Sequence, residues 1–338
     1  MMSTSRHVII IAEAGVNHNG SEERAFRMID AAADAGADYV KFQTFKADCL
    51  SSATAAQADY QRRNTGCSES QLDMLRKLEL GDNAFRALKD YCVAKGIGFM
   101  STPFDIDSVG FLAGLGMDYM KIPSGEITNL PYLRAVAAAA LPVIMSTGMC
   151  SPGDISAALD VLRSGGLSTR QITLLHCNTQ YPTPMADVNL RAMASLQTDF
   201  GTATGYSDHT IGIEVPIAAV ALGATVIEKH FTLNRNLPGP DHKASLEPAE
   251  LKAMVKAIRN IEAALGSPDK HVTASEAANI AVARKSIVAA RHIRKGEVLS
   301  PDNLCTKRPG TGISPMRWDE ICGRKALRDF EKDEIIEI

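Results

Sequence analysis

An eightfold alternation of short apolar runs with amphipathic stretches governs what this chain can fold into. The runs are "HVIIIAEAG" (7–15), "YVKFQTF" (39–45), "GFMSTPF" (98–104), "YMKIPSG" (119–125), "PVIMSTG" (142–148), "ITLLHCN" (172–178), "TATGYSDH" (202–209) and "TVIEKHF" (225–231). Between them lie stretches such as "SEERAFRMIDAAADAGA", "DNAFRALKDYCVAKG" and "SPGDISAALDVLRSGG". These carry apolar residues at helical spacing, and several end in Gly, a common helix terminator. Strands alternating with helices imply parallel βα units. Eight of them predict a closed (β/α)8 barrel. An open doubly wound sheet is the alternative, but "AEAGVNHNG" after the first strand does not fit the GxGxxG loop such a sheet usually carries.

The barrel pattern accounts for residues 1–266. One insertion interrupts it, residues 46–80, between the second strand and its helix. It reads either as an extended loop on the catalytic side, a lid, or as a surface insertion with one helix of its own. After 266 the texture changes. Residues 267–283 are polar and Ala-rich, a linker with a short helix. Residues 284–338 show short β-like runs and turn signals at Lys295-Gly296 and Pro309-Gly310, a small β-rich domain. The 338 residues suit one barrel-sized domain plus a small one.

Bulk properties exclude several classes. The formal net charge is -3 and no long run has a single sign, which argues against nucleic-acid binding. Apolar runs are too short or too interrupted to span a bilayer. "MMSTSRHVIIIAEAG" runs straight into a strand and does not read as a signal peptide. Seven scattered cysteines without a CxxC pair fit reduced thiols and a cytoplasmic protein.

Polar residues cluster at one place in the repeat. Glu13, Lys41, Gln43, Thr102, Lys121, Ser124, Glu126, Ser146, His176, Ser207, Asp208, His209, Glu228 and His230 all fall near the C-terminal end of a predicted strand. In a barrel those ends converge on the catalytic face. Packing alone does not explain eight strands that all end in ionisable or hydroxyl groups.

Three kinds of chemistry are on offer. His209 and His230, at neighbouring strand ends, can bind one divalent ion through imidazole nitrogen, with His176 as a possible neighbour. Two protein nitrogens would leave room for water and a substrate oxygen, which suits a Lewis acid. Either histidine could equally be a neutral, hydrogen-bonded catalytic or core residue. Lys41 and Lys121, with the hydroxyls of Thr102, Ser124, Ser146 and Ser207, suit a small multiply charged anion such as a phosphate ester. A Schiff-base lysine, as in an aldolase or lyase, competes with this. Among the carboxylates Glu13, Glu126, Asp208, Glu228 and Asp241, some are ion-pair partners and some acid/base candidates. His242, in "RNLPGPDHKAS", reads as an exposed loop histidine.

The segments "IIAEAGVNHNG", "VKFQTFKAD", "STPFD", "KIPSGEITNLPYL", "STGM", "LLHCNTQYPTP", "YSDHT", "IEKHFTL" and "GPDHKASLEP" together resemble the bacterial sialic acid synthase family. These enzymes condense phosphoenolpyruvate with an amino sugar to make N-acetylneuraminate and related nonulosonic acids. The tail "KSIVAARHIRKGEVLSPDNLCTKRPGTGISPM" resembles the antifreeze-like (SAF) domain that follows the barrel in that family.

The resemblance implies a (β/α)8 barrel, an antifreeze-like domain and a homodimer with swapped C-terminal domains. It implies Mn2+, or Mg2+ or Co2+ in its place, on His209 and His230. Phosphoenolpyruvate would lie on Lys41, Thr102, Lys121, Ser124, Ser146 and Ser207. The sugar would be held by Glu13, Gln43, Tyr181, Glu228, Asp241 and, from the second copy, Arg308. Glu126 would act on water or on phosphate departure. The acceptor implied first is N-acetylmannosamine; members that use 2,4-diacetamido-2,4,6-trideoxymannose to make N,N'-diacetyllegionaminate match the same motifs. Thr179 stands where some members have an Asn that contacts phosphoenolpyruvate. A non-enzymatic ice- or carbohydrate-binding role for the tail is set against the barrel's ionisable strand ends, which a scaffold does not need.

Overall fold

The computed structural model describes residues 7–65 and 69–338; Cys67, one of the seven cysteines, lies outside them. The chain divides into two compact units, residues 1–266 and 267–338.

The first unit is the eight-stranded parallel barrel. Its strands are β1 Ile9–Gly15, β2 Tyr39–Thr44, β3 Gly98–Pro103, β4 Met120–Ile122, β5 Val143–Ser146, β6 Ile172–His176, β7 Ala203–Asp208 and β8 Val226–His230. Ladder bonds run in the order β3-β2-β1-β8-β7-β6-β5-β4, and β3 and β4 lie side by side to complete the ring. Each strand falls inside one of the apolar runs read from the sequence. Helices between strands start and stop where local chemistry dictates. Ser21 caps Glu22–Ala35 by accepting from the Arg24 N–H, and Gly36 ends it at φ 81°, a left-handed conformation that costs glycine little. Ser151 and Asp154 form a capping box that starts Pro152–Ser164.

Strand periodicity builds the barrel interior in layers. Side chains alternate between the inside and the helix layer. Ile11, Met100, Ile144, Leu175 and Val226 form one buried apolar cluster, with Tyr39 and Tyr119 packed against it. Two residues further along the same strands stand Glu13, Thr102, Ser146, Cys177, Glu228, Lys41 and Lys121, all lining a cavity. The apolar layer is therefore the floor of a polar mouth. The other face of each strand packs on the helices through a large cluster that includes Ile10, Val40, Phe42, Leu174, Tyr206 and Ile227.

Among its described residues the 46–80 insertion carries three short helices, Ala47–Leu50, Asp59–Thr65 and Gln71–Leu78, where the surface reading expected one. Leu72, Met74, Leu75 and Leu78 pack with Val16, Phe45 and Ala47 as a separate small core.

The second unit has its own core of Ile287, Ile293, Leu299, Leu304, Ile321 and Phe330. Its regular sheet is one antiparallel pair, β9 Ser286–Ala289 with β10 Leu304–Lys307, extended by isolated bridges such as Ile293 with Phe330. The helix Ala274–Ala283 precedes it. Among the described residues no helix is long and apolar enough to cross a membrane.

Candidate active site

The barrel mouth encloses a cavity of about 310 Å³. At its base four buried charges meet. Lys41 Nζ lies 2.7 Å from Glu13 Oε2 and 3.6 Å from Glu228 Oε2. Lys121 Nζ lies 3.9 Å from Glu228 Oε2. The hydroxyls read from the sequence are threaded between them. Lys41 donates to Thr102 Oγ1 at 2.8 Å and Lys121 to Ser146 Oγ at 2.6 Å. Ser207 donates to Glu228 Oε1 at 2.9 Å, and Gln43 Nε2 to Glu13 Oε1 at 3.1 Å.

Two lysines and two carboxylates balance, which is what makes their shared burial tolerable. The balance is uneven in detail. Burial works against the Lys41 charge, but Glu13 and Glu228 outweigh it and hold its ammonium above the usual lysine range. Burial, only partly offset by Glu228, pulls Lys121 below it. Burial alone would raise Glu228; Lys121 and Lys41 together reverse this and bring its carboxyl to about 2. Burial raises the Glu13 carboxyl against the pull of Lys41.

Beside this group stand the two histidines, with ring centroids 5.4 Å apart. His209 Nδ1 makes a short contact with the Asn178 carbonyl oxygen, an acceptor, so that nitrogen carries the proton. Nε2 is left with its lone pair, facing the Tyr181 hydroxyl at 2.8 Å. His230 Nδ1 is buried without a hydrogen-bond partner. Burial lowers the pKa of His209, and lowers that of His230 well below the ordinary value, with His209 and Lys41 adding to the effect. Both rings are neutral at pH 7 and each keeps an unprotonated nitrogen, the form a metal ligand requires, that of His209 being hydrogen-bonded to the Tyr181 hydroxyl. Among the described residues no group of three or more His, Cys, Asp or Glu is arranged as a metal site. Two imidazole nitrogens by themselves fit an ion that keeps positions open for oxygen ligands. Asp241 Oδ1 is also buried in the cavity without a partner. Burial, with the charge of Glu13, raises its carboxyl to about 7.

Several sequence expectations need correction. His176 and Asp208 end their strands but do not enter the cavity. His176 Nε2 lies 2.9 Å from the Val188 carbonyl, which removes it as a neighbour of the histidine pair. Asp208 accepts from Thr210 and pairs with Lys229, both members fully buried. Period-two alternation is the reason: Ser207 and His209 point in, so Asp208 points out. His242 is fully buried rather than exposed, with Nδ1 2.7 Å from Thr232 Oγ1 and Nε2 3.1 Å from Asn19 Oδ1. Glu126 sits on the turn Ser124–Glu126, accepts from Asn129 Nδ2 at 2.6 Å, and is outside the cavity lining. Arg308 stands outside these corrections, because its expected role is in a second copy; in the second unit it is exposed and donates to the Ala283 carbonyl at 3.0 Å.

The structure also adds residues. Cys177 lines the cavity, its Sγ 3.4 Å from Ser124 Oγ, and burial raises its thiol pKa. The signal was in the register: with Leu175 inward and His176 outward, Cys177 had to face in. Lys229, the partner of Asp208, carried no sequence signal at all. Ser124 Oγ accepts the Gly148 N–H at 2.9 Å. Thr179 also lines the cavity, and a Cβ at position 148 would sit 2.7 Å from its Cγ2.

Fold and site together define a barrel enzyme that acts on a small anionic substrate beside a pair of neutral histidines. Residues 28–270 match the NeuB family and residues 284–337 the SAF domain. Over 331 residues the chain is 52% identical to an N,N'-diacetyllegionaminic acid synthase of Campylobacter jejuni, covering 98% of this chain and 99% of that one. It is 47% identical to the protein of the same name from Legionella pneumophila, over 95% of this chain and 91% of the other. Among solved structures, an N-acetylneuraminic acid (sialic acid) synthetase from Leptospira borgpetersenii superposes with a TM-score of 0.72 at 36% identity, over 82% of this chain and 91% of that one. The chain belongs to the NeuB family, a barrel synthase of nonulosonic acids with a C-terminal SAF domain.

Proposed function

We propose that the chain joins phosphoenolpyruvate to 2,4-diacetamido-2,4,6-trideoxymannose, giving N,N'-diacetyllegionaminate and phosphate. The observation that carries the phosphoenolpyruvate half is the buried quartet of Glu13, Lys41, Lys121 and Glu228. The acceptor rests on similarity: the relatives named for legionaminic acid are 52% and 47% identical, above the 36% of the solved sialic acid synthetase. N-acetylmannosamine, the first acceptor read from the sequence, becomes the second.

In this reading Lys41 and Lys121 turn from their carboxylate partners to the phosphate and carboxylate of phosphoenolpyruvate. Thr102, Ser124, Ser146 and Ser207 supply neutral donors around them. Glu13, Gln43, Tyr181, Glu228 and Asp241 hold the open-chain sugar. A bond forms between C3 of phosphoenolpyruvate and the aldehyde carbon, whose oxygen takes a proton. Water adds at C2, and the bond from C2 to the phosphate oxygen then breaks to leave the ketone. Glu13, inside the cavity, is better placed than Glu126 to take the proton from water. Asp241, with its carboxyl at about 7, can give one to a sugar oxygen. A divalent ion, Mn2+ or in its place Mg2+ or Co2+, would be held by His209 and His230 and would supply Lewis acidity toward the aldehyde oxygen.

The same reading makes the working form a cytoplasmic homodimer with exchanged C-terminal domains, in which Arg308 reaches the acceptor bound by the other copy. The six described cysteines, all free thiols, support the cytoplasmic placement.

Phosphate release from phosphoenolpyruvate tests the proposal. Release is expected with the diacetamido sugar, lost with EDTA and restored by Mn2+. No release with either acceptor in the presence of Mn2+ would refute it.

A further inference from the structure

The cavity has two unlike linings. One is the set of polar strand ends. The other comes largely from outside the strand–helix repeat; it includes Gln61 and Gln71 of the insertion, but most of it is an apolar surface made by Leu50, Met74, Leu75 and Leu78 with Val16 and Phe104. Nothing in the chemistry of a phosphate, a carboxylate and an aldehyde calls for it.

This lining is built, not incidental. Met74, Leu75 and Leu78 are spaced at one, three and four residues on the helix Gln71–Leu78, which places them on one face. They belong to a single packed cluster with Val16 and Ala47, so each is held from behind. Ser70 caps the helix by accepting from the Asp73 N–H. The Ala47 N–H donates to Glu79 Oε2 at 2.8 Å, and the Lys46 N–H to Asp105 Oδ2 at 2.9 Å, which fixes the start of the insertion. The aldehyde end of the acceptor must meet phosphoenolpyruvate at the lysines. Its remote end then has to extend along the cavity, away from the charges.

We infer that the insertion is the specificity element of the proposed reaction, and that Leu50, Met74, Leu75 and Leu78 receive the methyl groups at the remote end of the acceptor. Those groups are the C6 methyl and the methyl of the C4 acetamido substituent. A hexosamine presents hydroxyls at both positions. A hydroxyl placed on these four side chains gives up water without gaining a partner from them. Apolar surface of this kind ranks substrates and does not reject them absolutely, by a factor of roughly 10² at most. The inference rests on the acceptor proposed above.

The test is the ratio of kcat/KM for 2,4-diacetamido-2,4,6-trideoxymannose to that for N-acetylmannosamine, measured by phosphate release with the full chain, Mn2+ and saturating phosphoenolpyruvate. The unmodified chain is expected to favour the diacetamido sugar. Leu75→Asn and Leu50→Asn are expected to cut the ratio by roughly tenfold or more, through the KM of the diacetamido sugar and not that of phosphoenolpyruvate. Leu75→Met, apolar and similar in volume, is expected to keep it. Leu50 is only half-buried, so its variant decides the matter if Leu75→Asn does not fold. An unchanged ratio in folded Leu50→Asn overturns the inference alone; a preference of the unmodified chain for N-acetylmannosamine overturns the proposed acceptor together with it. No turnover of either sugar overturns the proposed reaction as well.

Discussion

At the scale of single residues, the least legible feature is the pair Asp208–Lys229. Both side chains are fully buried and face the helix layer, one residue from each histidine of the site. Asp208 also accepts from the Thr210 N–H and hydroxyl, both at 3.0 Å, and Lys229 donates to the Thr210 carbonyl at 2.5 Å. The pair ties the ends of β7 and β8 together beneath His209 and His230. Breaking a buried pair from one side leaves an uncompensated charge, so Lys229→Met is expected to cost about 3–5 kcal/mol. Replacing both members with apolar residues, Asp208→Leu with Lys229→Met, should cost much less than that single change. Urea unfolding of the three chains measures the difference. A single variant as stable as the parent would show that the pair holds nothing. The sequence displayed Asp208 as an acid beside His209; only the alternation of the strand, followed residue by residue, turns it away from the site.

At the scale of elements, strand ends and the turns after them shape the cavity by how closely they approach. Gly148 follows β5. A Cβ there would meet Thr179 Cγ2 at 2.7 Å and both Cys177 Sγ and Ser124 Oγ at 3.0 Å. The turns after β4, β5 and β6 can converge only because position 148 has no side chain. Gly148→Ala is therefore expected to lower kcat/KM by roughly tenfold to a hundredfold, since small displacements at a site are costly. Thr179→Ser removes the nearest clashing atom, and the double variant is expected to regain part of the loss. Steady-state phosphate release reads both, and a fully active Gly148→Ala would remove the close approach as a cause. Thr179 was visible in the sequence as a departure from Asn; Gly148 as the reason for a small neighbour was not, because the contact joins two turns of different βα units.

At the scale of the whole molecule, each unit has a core of its own, one around the barrel strands and one around β9 and β10. The proposed exchange of C-terminal domains makes a sharp prediction. Lys41→Met and Arg308→Ala are each expected to be nearly inactive. Refolded together, they are expected to regain roughly a quarter of the parent activity, from mixed dimers in which one site is whole. No recovery on mixing would place Arg308 in its own copy's site or in none. Residue order alone determined the barrel, because strand and helix periods are local properties that repeat visibly eight times. It also determined that lysines, hydroxyls and histidines would gather at the strand ends, because parallel strands in a barrel all point one way. What only the tertiary structure decided was how the charges in the cavity balance, which partners hold the side chains that turn away from it, and that the 46–80 insertion lines it. Those depend on register, burial and contacts between residues far apart in the chain, and no local pattern records them.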